Sequence, residues 1–336
     1  MKLIIGNKAY SSWSLRGWLA AKQSGLHFDE IIVPLFADGW EERKREDDLA
    51  PSSGKVPTLW DGEAVVWDSL AIIDYLADKV GRDRYWPKDE VARGMARSMA
   101  AEMHAGYTSL RREFPMNTRK TFSDVAISEE TRKDAVRILQ TWAEARSRFG
   151  KDGPYLFGTF SAADIMFAPV VTRFVTYGFT LPGFAESYAE TIMAHPWMEE
   201  WYAAAAEERL SAMGYAQAPE ICRRLSMFRH GNRYRQMPAD SQRRLDRLVP
   251  AAISAAVARR GPDVTLERLL GLFESISRRE AYLALLHEYP HALDRVADLM
   301  SASPWVAQYI TQHPILLDEL LDTRTLLATP DWPALQ

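Results

Sequence analysis

Tyr10-Ser11-Ser12-Trp13-Ser14-Leu15-Arg16 joins an apolar stretch at residues 2–5 to a run of helical spacing that starts near Trp13. The order reads as strand, turn, helix. The first N–H groups of such a helix have no partner within it, and the helix dipole adds partial positive charge, so the turn can hold an anion. A Cys opening that turn would be acidified and reactive. Ser11 stands there instead. A serine hydroxyl does no redox work, but it can donate a hydrogen bond to the sulfur of a bound thiol and favour its thiolate. The plainer alternative is that Ser11 or Ser12 caps the helix.

Working outward, residues 27–34 predict a strand, residues 40–49 a short helix, and Pro51-Ser52-Ser53-Gly54-Lys55-Val56-Pro57-Thr58-Leu59-Trp60 leads into another strand. Asp61-Gly62 is a hairpin signal before a partner strand at 64–67, and Asp68-Ser69 opens a helix running to about residue 79. The sequence of elements is β-α-β-α-β-β-α. Proline is normally excluded from a central strand, so Pro57 at the start of one predicts a cis Val56-Pro57 bond that leaves the Val56 backbone free to pair with an extended peptide. The carboxylate, hydroxyl and free N–H groups at Asp68-Ser69 would receive the amino-acid end of a ligand.

These motifs resemble the glutathione transferase superfamily, specifically its Ser-type, zeta-like bacterial members. Ser11-Ser12-Trp13-Ser14-Leu15-Arg16 is similar to that family's Ser-x-x-x-x-Arg turn, Gly54-Lys55-Val56-Pro57 to its cis-proline segment, and Trp67-Asp68-Ser69-Leu70-Ala71-Ile72 to its acidic-Ser glutathione site. Downstream, Phe160-Ser161-Ala162-Ala163-Asp164-Ile165 resembles a capping box of its helical domain, and His195-Pro196-Trp197 the start of its last common helix. The zeta class's Ser-Ser-Cys triplet is absent. The resemblance covers roughly residues 1–215. It implies a thioredoxin-like α/β domain at 1–81 and an all-helical transferase domain at 88–215. It further implies glutathione as co-substrate, with Ser11 catalytic at its sulfur, Val56 pairing with the cysteinyl part, and Asp68 with Ser69 holding the γ-glutamyl end. Ser12, Trp13, Lys55 and Pro57 complete the implied binding set, and a homodimer is implied as well. Ser12 and Ser14 are fallback thiol donors, and Arg16 is assigned a structural role. Hydrogen bonding and the helix end together would lower the thiol pKa by about one to two, at about 1.4 kcal/mol for each.

An electrophile must then lie against the sulfur in a mostly apolar cleft. A long helix at residues 90–114 is expected to wall it, with Met103, Tyr107 and Arg111 on one i, i+4 stripe. His104, Tyr107 and Arg111 are the substrate-facing candidates, although a Met and aromatic stripe is more often core. Conjugation, isomerisation of the maleylacetoacetate isomerase kind and peroxide reduction all fit the motifs.

The remaining chain is the second surprise. Ala216-Gln217-Ala218-Pro219 reads as a join, and residues 221–336 as an extra helical module with helices expected at 245–258, 265–277, 279–288, 291–301, 305–313 and 315–321. The run from Leu269 to Leu286, Ser301-Ala302-Ser303-Pro304-Trp305 and the segment from His313 to Asp322 resemble the helical middle of bacterial glutamine synthetase adenylyltransferase, across roughly 237–325. That family's nucleotidyltransfer needs a Gly-Ser-x-x-Asp-x-Asp carboxylate pair, which does not occur in this chain, so the module is expected to be catalytically silent. The junction reads either as a functional fusion or as a hybrid formed by rearrangement or assembly.

Arg223, Arg224, Arg229, Arg233, Arg235, Arg243, Arg244 and Arg247 meet only Asp240 and Asp246 within 221–247. There is no aromatic interleaving of the kind that stacks bases, and the chain's formal net charge is −4, which argues for a solvated helical face over a nucleic-acid site. The chain of 336 residues is 47% apolar without a run of membrane-spanning length, and Met1 leads directly into a strand, so a soluble, cytoplasmic protein is expected. The single Cys222 is expected to pack on a helix. No paired histidine spacing suggests a metal, since His287 and His291 straddle Pro290. Three function classes follow: a glutathione transferase; a non-catalytic binding module of that fold; and a fused or hybrid chain whose tail relates to glutamine synthetase regulation without adenylyltransferase activity. Intact Ser11, Pro57 and Asp68-Ser69 favour the first.

Overall fold

The structure, a computed structural model, describes residues 1–319. It divides into two compact units, Met1–Ala206 and Glu207–Gln336.

The first unit opens on a four-stranded sheet of order β2-β1-β3-β4, with β1 (Lys2–Gly6), β2 (Asp29–Val33), β3 (Thr58–Asp61) and β4 (Ala64–Trp67). β1 pairs in parallel with β2 and antiparallel with β3, and β3 antiparallel with β4. Leu3, Ile4 and Ile5 are fully buried, as a central strand covered on both faces requires. The parallel β1–β2 pair needs a crossover, which α1 (Ser12–Ser24) supplies, ending at Gly25 with φ 70. α2 (Trp40–Arg43) is one turn rather than the expected helix over 40–49; the chain turns on into a short 3₁₀ segment, Ala50–Ser52, with Pro51 inside it. The Val56-Pro57 bond is cis, and the hairpin turns at Gly62, φ 60. α3 (Ser69–Val80) closes the β-α-β-α-β-β-α order.

Six further helices complete this unit or lead out of it: α4 (Glu90–Ala105), α5 (Thr108–Glu113), α6 (Glu129–Phe149), α7 (Ala162–Thr176), α8 (Gly183–Met193) and α9 (Pro196–Met213). The single helix expected at 90–114 is two helices. Gly106 is extended and Tyr107 sits at φ 54, which breaks the ladder and takes Met103, Tyr107 and Arg111 off a common stripe. α7 starts on the expected capping box: Asp164 Oδ2 accepts from the Ser161 N–H at 2.8 Å and from its hydroxyl at 2.8 Å. One continuous core runs from Leu3 in the sheet through Trp18 and Trp142 to Trp201.

The second unit is helical: α10 (Ala218–His230), α11 (Asn232–Arg235), α12 (Ala239–Val257), α13 (Pro262–Ile276), α14 (Glu280–Glu288), α15 (Pro290–Ala302), α16 (Pro304–Gln312) and α17 (Leu316–Glu319). Pro262, Pro290 and Pro304 each sit in a first turn, where the missing N–H costs nothing. Its own core joins Leu245, Leu266, Phe273, Leu283 and Val296, and Cys222 packs against it, half-buried, with burial pushing its thiol pKa up. The arginines of 221–247 find acids beyond that stretch: Arg224 meets Glu274 at 2.9 Å and Glu267 at 3.3 Å, and Arg244 meets Glu280. The end of the helix expected at 315–321, Leu320 and Leu321, lies outside the described residues, as does Asp322 at the end of the segment that carried the second resemblance.

Among the described residues no helix is long and apolar enough to cross a membrane, and no cluster of three or more His, Cys, Asp or Glu could hold a metal ion.

Candidate functional site

Three segments of the first unit meet at the start of α1. The loop before it is pinned by Asn7, whose carbonyl accepts from the Tyr10 and Ser11 N–H groups at 3.2 and 3.0 Å. Ser11 is the N-cap. Its Oγ accepts from the Ser14 N–H at 3.3 Å and donates to Ser14 Oγ at 2.8 Å, while Ser14 Oγ accepts from the Gly6 N–H at 2.9 Å. This buried relay ties helix to strand, and it commits the Ser11 hydroxyl proton inward.

Ser12, half-buried, faces the other way. Its Oγ accepts from Arg173 Nη2 at 3.3 Å, and it lines a cleft of about 400 Å³ with Tyr10, Trp13, Arg111, Arg112, Met116 and Arg173. Arg173, from α7, is buried; its Nε donates to Phe114 O at 2.8 Å and its Nη1 to Pro169 O at 2.9 Å. Arg16 lies beneath, fully buried, with Nε donating to Met166 O at 3.1 Å and Nη1 without a partner. Burial, with smaller contributions from the neighbouring Arg173 and Arg111 charges, pushes the Arg16 pKa down to about 9 against the pull of Asp68.

Trp13 links this cleft to the second helix start. The guanidiniums of Arg16 and Arg111 sit 4.9 and 5.0 Å from its ring centre, and the His104 ring meets it edge-on at 5.2 Å. His104 Nε2 in turn lies 3.5 Å from Asp68 Oδ2. Asp68 caps α3 at φ 74, an uncommon angle for a residue with a side chain, and its Oδ1 accepts from the Leu70 N–H at 2.8 Å. Ser69 Oγ is buried with no hydrogen-bond partner. Asp68 and His104 line a second cleft, of about 460 Å³, with Leu70, Trp86 and Arg97.

Between the two helix starts runs the Val56-Pro57 segment. Pro57 is buried against α1: a Cβ at Gly17 would stand 2.6 Å from the Pro57 ring, so only glycine permits this approach. The Val56 N–H and C=O form no hydrogen bond among the described residues, while Lys55 is exposed and its carbonyl accepts from Thr58 Oγ1.

Of the residues expected from sequence, Ser12, Trp13 and Arg111 therefore share one cleft, and His104, Asp68 and Ser69 gather at the start of α3. Tyr107 is in the core, with burial and the nearby Glu102 carboxylate pushing its pKa up. Arg173 and Arg112 were not expected. A lone arginine in the apolar run Ala162–Thr176 was the available signal for Arg173, since an unpaired charge is rarely placed in a core without a polar task.

Residues 10–79 match the family model described as glutathione S-transferase, N-terminal domain, and residues 126–204 that described as glutathione S-transferase, C-terminal domain. Both matches fall within Met1–Ala206. Among curated proteins the chain is similar to a bifunctional glutamine synthetase adenylyltransferase/adenylyl-removing enzyme of Chromobacterium violaceum, 46% identical over 168 residues, which is 49% of this chain and 18% of that protein. The alignment is longer than the 237–325 stretch that carried the resemblance, and the chain spans less than a fifth of the relative's length. Among solved structures it is similar to glutathione S-transferase 1-6 of Anopheles dirus species B, with TM-score 0.48 and 21% identity over 63% of this chain and 98% of that one. It is also similar to the theta-class glutathione S-transferase of Xanthomonas axonopodis pv. citri with glutathione bound, with TM-score 0.45 and 19% identity over 60% of this chain and 96% of that one. The two resemblances read from sequence thus recur: glutathione S-transferase domains in the first unit, and an adenylyltransferase relative over about half the chain.

Proposed function

We propose that the first unit is a glutathione transferase whose thiol donor is Ser12. The observation that carries this reading is the split between two adjacent hydroxyls: the Ser11 proton is committed to Ser14, whereas Ser12 lies on the cleft at the first turn of α1. A thiol placed there meets a hydroxyl donor and the unpaired N–H groups of a helix start, both of which favour thiolate. Ser69 Oγ, buried and unpartnered, and the unpaired Val56 backbone are the other groups that a peptide ligand would satisfy. On this reading Val56 holds the cysteinyl part, and Asp68 with Ser69 the γ-glutamyl end. Lys55, Trp13 and Pro57 flank them, and residues 1–81 are the glutathione-binding domain within a homodimer. The thiolate then attacks a small electrophile in conjugation or isomerisation. The helices after residue 221 act, on this proposal, without nucleotidyl transfer.

The test is a titration of bound glutathione, following thiolate absorbance against pH in the wild type, Ser12→Ala and Ser11→Ala. We expect the thiol pKa to be lowered in the wild type and to rise by about one in Ser12→Ala, a loss of about 1.4 kcal/mol of thiolate stabilisation. Ser11→Ala should keep the lowered value and lose about 1 kcal/mol of stability as a missing helix cap. A restored pKa in Ser11→Ala alone would return the donor role to Ser11. Equal values in all three proteins would leave a binding module, and failure to bind glutathione would end the transferase reading.

A further inference from the structure

Lys8 is a buried cation of the first unit that the site described above does not use. It belongs to the turn between β1 and α1, whose own closing bonds run from the Tyr10 and Ser11 N–H groups to Asn7 O. The next two carbonyls are left over, and donors from far along the chain take both. Trp201 Nε1, on α9, donates to Lys8 O at 2.9 Å, and the Thr118 N–H, beyond α5, donates to Ala9 O at 3.1 Å. The Lys8 side chain is anchored as well: its Nζ lies 2.7 Å from Glu30 Oε1 on β2, and 5.3 and 5.2 Å from the ring centres of Trp18 and Trp201. Trp18 Nε1 donates to the other Glu30 oxygen at 2.6 Å, and the two indole rings are 5.4 Å apart. An ammonium so buried needs a carboxylate and aromatic faces around it, which makes this cluster a fixed point of the fold.

Ser12 and the first N–H groups of α1 follow that turn directly. A turn closed only at Asn7 leaves residues 8–10 room to swing, and the bonds to Lys8 O and Ala9 O remove that freedom. Hydrogen bonds to a sulfur weaken steeply with distance and angle, and a displacement of about 1 Å can cost about a hundredfold in rate. We propose that Trp201 is a positioning residue for the thiol site: through Lys8 O, its indole N–H sets where Ser12 and the first turn of α1 stand against the bound sulfur. The proposal rests on the transferase reading above and adds to it a residue 193 positions along the chain from the turn it holds. Trp201 is fully buried and lines neither cleft, so its effect on the sulfur is indirect.

The test compares the full chain with Trp201→Phe, which keeps a ring in the core and removes the N–H. The control is Trp142→Phe, in the same core, where the indole N–H has no partner and the turn is not touched. Hydrogen exchange of segment 6–14 is followed by mass spectrometry without ligand, and the thiol of bound glutathione is titrated as above. In Trp201→Phe we expect exchange in 6–14 to be about tenfold faster and the thiol pKa to rise by about 0.5 to 1, a loss of thiolate of about threefold to tenfold at fixed pH. S-methylglutathione, which has no thiol proton, should bind within about twofold of wild type, because the groups that hold the rest of the peptide are untouched. Trp142→Phe should lose stability and leave all three readouts at their wild-type values. Lys8→Met, which keeps the apolar stem and removes the ammonium, should move exchange and pKa in the same direction and carries the test if Trp201→Phe does not fold. Exchange in 6–14 that stays at the wild-type rate in Trp201→Phe, or rises equally in Trp142→Phe, overturns the proposal. So does faster exchange with the thiol pKa unmoved, which would reduce the bond to core packing. A wild type that does not bind glutathione ends the transferase reading and the thiol role of Trp201 with it, whereas faster exchange in Trp201→Phe would still establish Trp201 as the clamp of this turn.

Discussion

At the scale of single residues, side-chain direction carries the chemistry. Ser11 and Ser12 are equivalent in sequence, since either can open a helix, and only the relay from Ser11 through Ser14 to the Gly6 N–H separates them. Asp164 gives a sharper test, because it is fully buried among four donors: the Ser161 N–H and hydroxyl, the Leu156 N–H and the Tyr188 hydroxyl. Burial pushes its pKa up to about 6, against the lowering effect of those hydrogen bonds. Between about pH 4 and 6 the folded protein keeps a proton that the unfolded chain has released, so this group's contribution to stability is complete below pH 4. It is lost as pH rises to 6, by about 3 kcal/mol at most. Denaturant titrations across that range should show the wild type losing stability relative to Asp164→Asn as pH rises; a constant difference would mean that Asp164 is ionised throughout. The capping box was legible because its spacing is fixed by the helix. The direction of the Ser12 hydroxyl and the approach of Arg173 were not, since both depend on contacts more than 100 residues apart.

At the scale of elements, α1, α3 and the Val56-Pro57 segment meet at Gly17. An added Cβ would stand 2.6 Å from Pro57 Cγ and 2.7 Å from its Cβ, with Ile72 Cδ1 at 3.7 Å. Alanine gains about 1 kcal/mol over glycine in a helix, but a proline ring cannot swing aside, and overpacking costs about 1–3 kcal/mol. Gly17→Ala should therefore lose about 1–2 kcal/mol in urea denaturation and weaken S-methylglutathione, because the segment beside the site must shift. Gly94, in the middle of α4 with open space around its Cβ position, should show the opposite sign, with Gly94→Ala gaining about 0.5–1 kcal/mol and leaving binding unchanged. A stabilised Gly17→Ala would show that the proline packing is loose. Periodicity made the strand and helix order of the first domain readable, including the hairpin at Gly62. It misread α4 and α5 as one helix because Tyr107 takes a left-handed angle, which no residue preference announces for an aromatic side chain.

For the whole molecule, the decisive fact is that two hydrophobic cores share no member: one runs from Leu3 to Trp201, the other from Leu210 to Leu317. Cooperative unfolding follows the extent of a continuous core, so each unit is expected to melt in its own transition. A ligand that binds only the folded first unit stabilises that unit by mass action, by about 2.7 kcal/mol at a hundredfold excess over Kd. Calorimetric scans with and without S-methylglutathione should therefore show one transition rising by several degrees while the other stays fixed. Ser12→Ala, which alters thiol activation rather than the peptide's other contacts, should leave that upward shift largely in place. If instead both transitions rise together, the two cores are energetically coupled and the helical module is part of the binding device. Two transitions that both stay fixed would remove glutathione from the reading of this chain while leaving its two-part architecture intact.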